Sequence, residues 1–320
     1  MDISGCTILV TGGNGCIGKE VVKFLLAESP KKIIVIGRRT NLDSFDLENI
    51  EYSTGDICNF QYMDEKLKGV DILVHLAAKV HSLPQNTKDE EEFYRVNTKA
   101  SEDIFNLAIL HQLKKVVFIS SVAVFGDKGE SLISEEDVCR PTSPYGKSKL
   151  MAEQFLTKIS SENKLDMTIL RPVTVFGNFD KGNIANFIKL LKRGIGVRVG
   201  VGNQMKSFVH SKDMAAAIVE TSKNTRTQGQ VYIISGFSIR LIDFIEKVKG
   251  VFCLKSYTIA IPISIIKIMK NINKRLYIKL SVLGSTNLYD GNKFTNETGF
   301  KVKYNLEEGL KDSFDFYQSL

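Results

Sequence analysis

Three side chains in this 320-residue sequence are suited to moving a proton on and off an oxygen: Ser121, Tyr145 and Lys149. Tyr145 and Lys149 lie in SPYGKSK, four residues apart, so a helix there puts both on one face. An ammonium close to a phenol favours the phenolate and lowers its pKa. That makes Tyr145 a candidate acid/base for a hydroxyl or carbonyl oxygen, and Ser121 can supply a second hydrogen bond to that oxygen. On its own, such a pair is usually a solvated accident of a helix surface. Its weight here comes from its place in the chain, just after a strand that ends in Ser120-Ser121.

The elements that must position these groups begin with ILVTGGNGCIGKEVVKFLL at 8 to 26. The apolar run 8–10 reads as a buried strand, and Val21, Val22, Leu25 and Leu26 form one face of a helix. Between them, Gly12 or Gly13 with Gly15 and Gly18 satisfy the spacing of a dinucleotide-binding turn. The first glycine permits a tight turn, Gly15 a close approach of the pyrophosphate to the backbone, and Gly18 close packing of helix on strand. A strand, a glycine turn and a helix point backbone N–H groups and a positive helix end at phosphate. Cys16 and Ile17, inside the turn, join the candidate cofactor contacts.

Four further strands are expected. KIIVI at 32 to 36 ends in Gly37-Arg38-Arg39, where an acidic residue would hold the 2′-hydroxyl of an NAD ribose. Arg38 and Arg39 can instead receive the 2′-phosphate of NADP, so NADP is favoured and NAD kept as the alternative. The strand at 50–53 is followed by Asp56-Ile57, where Asp56 can hold the adenine amino group or cap a helix over 62–67. DILVHL at 71 to 76 leads to Ala77-Ala78-Lys79, small residues against which a cofactor can lie, and KVVFIS at 115 to 120 leads to Ser121. A long helix is expected over 93–112 and another from about Tyr145 to Ile159. Strands alternating with helices indicate an α/β doubly wound parallel sheet, with ligands at the carboxyl ends of the strands. Gly12, Arg38, Asp56, Ala77 and Ser121 all fall at such ends.

Composition excludes little else. Apolar content of 43% and charged content of 25% are those of an ordinary globular chain. The net charge of +7 is spread along the sequence, so a nucleic-acid surface is not implied, while a positive cleft would suit a nucleotide phosphate. Five cysteines without a C-x-x-C pair and only four histidines argue against a metal site, and reduced thiols fit a cytoplasmic protein. The N-terminus runs straight into the first strand with no signal peptide in view. The apolar stretch 251–269 is broken by Lys255, Pro262 and Lys267. It is too short to span a bilayer and reads as a buried segment, with an amphipathic surface patch as the alternative.

Taken together, these residues resemble the extended short-chain dehydrogenase/reductase family, in its nucleotide-sugar epimerase/dehydratase branch. The carriers are TGGNGCIG, GDI at 55 to 57, HLAA at 75 to 78, VN at 96 and 97, SSVAVFG at 120 to 126, SPYGKSK, RPVTVFG at 171 to 177, FVHSKDMA at 208 to 215 and the tail TGF…LEEGL. The resemblance covers nearly the whole chain. It implies a Rossmann domain over 1–170, to which 208–235 returns, and a smaller C-terminal α/β domain over 171–207 and 236–320 that binds a sugar nucleotide. It implies Ser121, Tyr145 and Lys149 as the catalytic set, with Lys149 also on the nicotinamide ribose. Lys79 and Asn97 would lie near the cofactor and Pro172 near the nicotinamide. His81, Thr174, Asn183 and Lys206 would join Ser121 and Tyr145 around a UDP-sugar, Asn183 and Lys206 near the diphosphate. A homodimer through the helices at 93–112 and 145–159 is implied as well.

Departures from the family narrow the reaction. The 4,6-dehydratases carry an Asp-Glu pair just after the catalytic hydroxyl, where this chain has Val122 and Ala123. The decarboxylases of UDP-glucuronate need a glutamate in the same stretch. Epimerases and 4-keto reductases need only the tyrosine, the lysine and a hydroxyl. Arg38, Thr174 and the strings HLAAKVHS and KGNIANFIKLLKRG favour a reductase that makes N-acetylated 6-deoxyhexoses. A UDP-hexose or UDP-N-acetylhexosamine 4-epimerase is the alternative, and a non-catalytic dinucleotide sensor the remote one.

Overall fold

The computed structural model describes residues 1–39, 48–80 and 87–320. In chain order its elements are β1 (Thr7–Thr11), α1 (Cys16–Leu26), β2 (Lys32–Gly37), β3 (Ile50–Thr54), α2 (Phe60–Leu67), β4 (Ile72–His75), α3 (Thr87–Phe93), α4 (Ala100–Leu110), β5 (Lys115–Ile119), β6 (Leu132–Ile133), α5 (Pro144–Asn163), β7 (Asp166–Pro172), β8 (Thr174–Phe176), α6 (Asn183–Lys192), β9 (Ile195–Val199), β10 (Met205–His210), α7 (Ser211–Lys223), β11 (Gln230–Ile234), β12 (Phe237–Arg240), α8 (Leu241–Val251), β13 (Tyr257–Ile261), α9 (Ile263–Ile272), α10 (Lys274–Gly284), β14 (Leu288–Tyr289), α11 (Asn292–Thr298), α12 (Leu306–Asp312) and α13 (Phe314–Gln318).

The main sheet has seven strands in the order β11-β7-β5-β4-β1-β2-β3, and every pairing is parallel. Chain order reverses between β1 and β4, which opens the crevice where such sheets bind ligands. Both faces are covered, as continuous apolar strands require. Ile8 and Val10 of β1 turn toward Val21, Val22 and Leu25 of α1 and Met214 and Ile218 of α7. Leu9 turns the other way, toward Met63 of α2, Phe105 of α4 and Leu156 of α5. The remaining strands form a three-stranded sheet, β12-β10-β8, and two pairs, β13-β9 and β14-β6. A third core of Phe176, Ile184, Ile188, Phe208, Phe244 and Tyr317 lies beneath them.

Three local expectations change. The helix expected over 93–112 begins at Thr87 and passes through a π-helical segment, Tyr94–Lys99, between α3 and α4. The cap of α2 is Asn59, whose side chain accepts from Tyr62 N, whereas Asp56 accepts from Cys58 N in the turn before it. The stretch 251–269 is not a buried segment. Ile266 packs inward against Val199 and Leu280, but Tyr257, Ile259, Ile263, Ile265 and Ile268 are exposed. Hydropathy registers apolar side chains without saying which of them find a neighbour.

Candidate active site

Each strand-end residue singled out above lies just past its strand. β1 stops at Thr11, β2 at Gly37, β3 at Thr54, β4 at His75 and β5 at Ile119. Gly12, Arg38, Asp56, Ala77 and Ser121 therefore follow by one or two residues along one edge of the parallel sheet.

The glycine turn is closed by two tight approaches. Gly12 has φ +73°, and a Cβ there would come within 2.8 Å of Ala77 N. A Cβ on Gly18 would sit 2.4 Å from Gly12 O and 2.6 Å from Gly13 Cα. Gly15 caps α1 without a side-chain acceptor, and the first turn of the helix carries no acid. Backbone donors at the helix start are left for an anion, so these residues fit a dinucleotide pyrophosphate. Burial pushes the Cys16 thiol up to about 12, which makes it inert as a nucleophile. Ile17 packs on the core beneath the turn. Ile57 is buried in the opposite core, so any contact it makes with a nucleotide comes from its backbone. Arg38 and Arg39 are exposed at the end of β2, and Asn14 fixes their loop by donating to Arg39 O at 2.8 Å. Asp56 is half exposed, 4.0 Å from the Arg95 guanidinium.

The catalytic candidates meet at the start of α5. Ser143 caps this helix by accepting from Gly146 N at 3.0 Å, with Pro144 at its first position. A Cβ at residue 146 would lie 2.4 Å from Ala123 O, so the small residue beside Tyr145 lets α5 rest on the 3₁₀ turn Val122–Phe125. Ser121 caps that turn, accepting from Ala123 N at 3.1 Å. Its hydroxyl also bears on Tyr145 and favours the phenolate. The larger effect on Tyr145 is burial, which pushes the phenol up to about 12. Lys149 does not lower it as the spacing suggested. The ammonium sits 4.0 Å from the Phe118 ring centroid, and burial brings it down to about 7, opposed by Glu153 one turn on. Glu153 itself holds Arg171 in a buried two-point pair at 2.6 and 3.1 Å.

A buried chain of hydrogen bonds, between residues far apart in the chain and only faintly signalled by spacing, links the glycine turn to this helix. Thr11 Oγ1 meets His75 Nδ1 at 2.7 Å, His75 Nε2 meets Ser101 Oγ at 3.0 Å, and Ser101 donates to Asn97 O at 2.8 Å. Asn97 accepts from Lys79 N at 2.7 Å and donates to Lys79 O and to Ser148 Oγ, while Ser148 donates to Tyr145 O. Asn97 stands in the π-helical segment, a feature common at functional sites, and its amide clamps Lys79 rather than reaching open space. The only sequence signals were lone polar residues at the ends of apolar strands, Thr11 and His75.

Burial and the nearby Lys149 cation bring His75 down to about 3. An unfolded histidine takes its proton below about 6.5, and this one does not until about 3, so falling pH favours the unfolded chain across that window. Urea unfolding should therefore show stability falling from about pH 7 to about pH 4.5. The slope should be shallower in His75→Asn, which keeps a polar group but takes no charge. An unchanged slope would contradict this reading.

The expected substrate residues are more scattered. Pro172 ends β7 and is buried, and Thr174 is exposed on β8. Asn183 is exposed at the first turn of α6, whose N–H groups are capped by Asp180 through Gly182 N and Ala185 N. Lys206 donates to Val282 O at 2.6 Å and to Ser285 O, and so closes the C-terminal end of α10. Burial lowers it to about 8. This ammonium is engaged by carbonyls rather than presented to a diphosphate. His81 lies outside the described residues. All five cysteines are free, and the described residues hold no cluster able to bind a metal.

Comparison with known proteins matches residues 8–235 to the model of the NAD dependent epimerase/dehydratase family. A UDP-glucose 4-epimerase of Vibrio cholerae is 27% identical over 316 residues, 96% of this chain and 94% of its own length. An uncharacterized protein of Sinorhizobium fredii, y4nG, is 31% identical over 217 residues, 68% of this chain, and that match spans 53% of the relative. The solved UDP-glucuronic acid 4-epimerase of Bacillus cereus, in complex with UDP-glucuronic acid and NAD, has a TM-score of 0.83 at 22% identity, covering 98% of this chain and 99% of its own.

Proposed function

The chain belongs to the NAD dependent epimerase/dehydratase family, and on that footing we propose that it carries out oxidoreduction at C4 of a UDP-linked sugar. The observation that carries the reading is the junction of β5 with α5. It sets the Ser121 hydroxyl against Tyr145, carries Lys149 one turn further along α5, and has Val122 and Ala123, not acids, in the adjoining 3₁₀ turn. Dehydration needs an acid and a base at neighbouring carbons; this arrangement serves one oxygen. The glycine turn and the open start of α1 would hold the dinucleotide, with Lys149 on its nicotinamide ribose. When bound, the nicotinamide supplies hydride chemistry at C4. Tyr145, kept protonated by burial, gives its proton to O4, and Ser121 hydrogen-bonds the same oxygen.

The finer reading is NADPH-dependent reduction of a UDP-4-keto-6-deoxy-N-acetylhexosamine in the cytoplasm, feeding surface polysaccharide. Arg38 and Arg39 favour it, because an exposed guanidinium at the end of β2 suits a 2′-phosphate. A 4-epimerase that retains NAD is the second reading, favoured by the full-length likeness to the Vibrio cholerae enzyme. A homodimer through α4 and α5 belongs to the same proposal; both helices expose apolar side chains, at Leu110 and Met151.

Dinucleotide titration separates the two. Arg38→Ala is expected to weaken NADPH binding about tenfold, the worth of one charge-assisted hydrogen bond, and to leave NADH binding unchanged. Tight co-purifying NAD with no preference for NADPH would move the assignment to the epimerase.

A further inference from the structure

Between residues 251 and 289 the chain carries Lys255, Lys267, Lys270, Lys274, Arg275 and Lys279 and no carboxylate. All six cations are exposed. They are interleaved with apolar side chains that have no neighbour to cover them. Ile265, Ile268 and Ile272 recur on one side of α9, with Ile268 58% and Ile272 69% exposed, and Ile263, Leu276 and Val282 are exposed elsewhere on the helical hairpin. Tyr257, 86% exposed, stands at the start of β13. Beneath the hairpin Val199, Ile266 and Leu280 are buried, with Met269, Tyr277 and Leu283 partly buried against them, so one face of α9 and α10 packs on this chain and the exposed isoleucines lie outside it.

We propose that the α9–α10 hairpin with β13 is a peripheral docking surface for an anionic phospholipid bilayer. Exposed aliphatic side chains along one flank of α9, with lysines on its other flank and no carboxylate in the hairpin, suit the boundary of headgroups and acyl chains, where the former are buried and the long lysine stems carry their charges to lipid phosphates. A tyrosine at the rim fits the same boundary. A second copy of the chain is a poorer occupant, because two such patches would bring twelve like charges together. Nucleic acid would use the lysines and gain nothing from the isoleucines. No helix among the described residues is long and apolar enough to cross a membrane, so the attachment is to one leaflet and reversible.

The test is co-sedimentation of the full chain with vesicles of phosphatidylcholine alone and with about a third phosphatidylglycerol, at low and at high salt. Binding is expected to the anionic vesicles at low salt and to weaken as salt rises. Lys267→Gln/Lys270→Gln/Lys274→Gln should lower partitioning about a hundredfold. Ile268→Ser/Ile272→Ser should lower it about tenfold. Both sets are exposed, so dinucleotide binding and melting temperature should stay at parental values. Three results would each overturn the proposal: no sedimentation with anionic vesicles, sedimentation that neither variant set reduces, or a salt-resistant dimer of the parent abolished by the isoleucine pair.

Discussion

Tyr145→Phe is expected to lower turnover about a thousandfold, within the range general acid–base groups contribute, while dinucleotide affinity stays within about threefold of the parent. The substitution removes one oxygen and keeps the ring, which meets Phe93 edge-on at a centroid distance of 6.3 Å, so the start of α5 should hold its shape. What is lost is the phenol proton. Burial keeps that proton in place well above neutral pH, which suits a donor to an oxygen that gains charge as hydride arrives at the adjoining carbon. Steady-state rates with a fixed sugar nucleotide and saturating cofactor check this. A variant within tenfold of the parent would remove Tyr145 from the chemistry.

Gly18→Ala is expected to reduce dinucleotide affinity by at least a hundredfold and to destabilise the fold by about 1–3 kcal/mol, the usual cost of overpacking. The added Cβ would meet Gly12 O at 2.4 Å and two Gly13 backbone atoms at 2.6 and 2.8 Å. Backbone cannot swing aside as a side chain can, so α1 must lift away from the turn that it closes. Its N-terminal donors then move off the phosphate position. Gly5→Ala is the internal control, since a Cβ there meets nothing within 4 Å. Calorimetric titration of both variants gives the comparison, and parental affinity in Gly18→Ala would contradict the assigned cradle.

The parts of this site legible in the sequence are those set by short spacing. The glycine turn, the four-residue step from Tyr145 to Lys149 and the strand ends follow from local periodicity, and the seven-stranded parallel sheet places them along one edge. What spacing could not supply is desolvation and long-range partners. Tyr145 and Lys149 are the right distance apart along α5, yet burial raises the phenol and lowers the amine. Lys206 looked free for a diphosphate because the carbonyls that occupy it, at Val282 and Ser285, are 76 and 79 residues away. Family likeness puts Asn97 near the cofactor. The structure gives it a clamp on Lys79 and Ser148, inside a π-helical segment that no pattern within the helix announces. The apolar stretch 251–269 was visible, but its outward face was not.

The most direct test of the proposed chemistry is to incubate the purified protein with a UDP-4-keto-6-deoxy-N-acetylhexosamine and NADPH carrying deuterium at the transferable position. The loss of reduced nicotinamide is followed by absorbance, and the label in the sugar by mass spectrometry and NMR. The reductase reading requires one NADPH oxidised per sugar and deuterium at C4 of the product. No consumption of NADPH with the keto sugar, alongside interconversion of UDP-hexose C4 epimers without net use of cofactor, would contradict it and establish the epimerase instead.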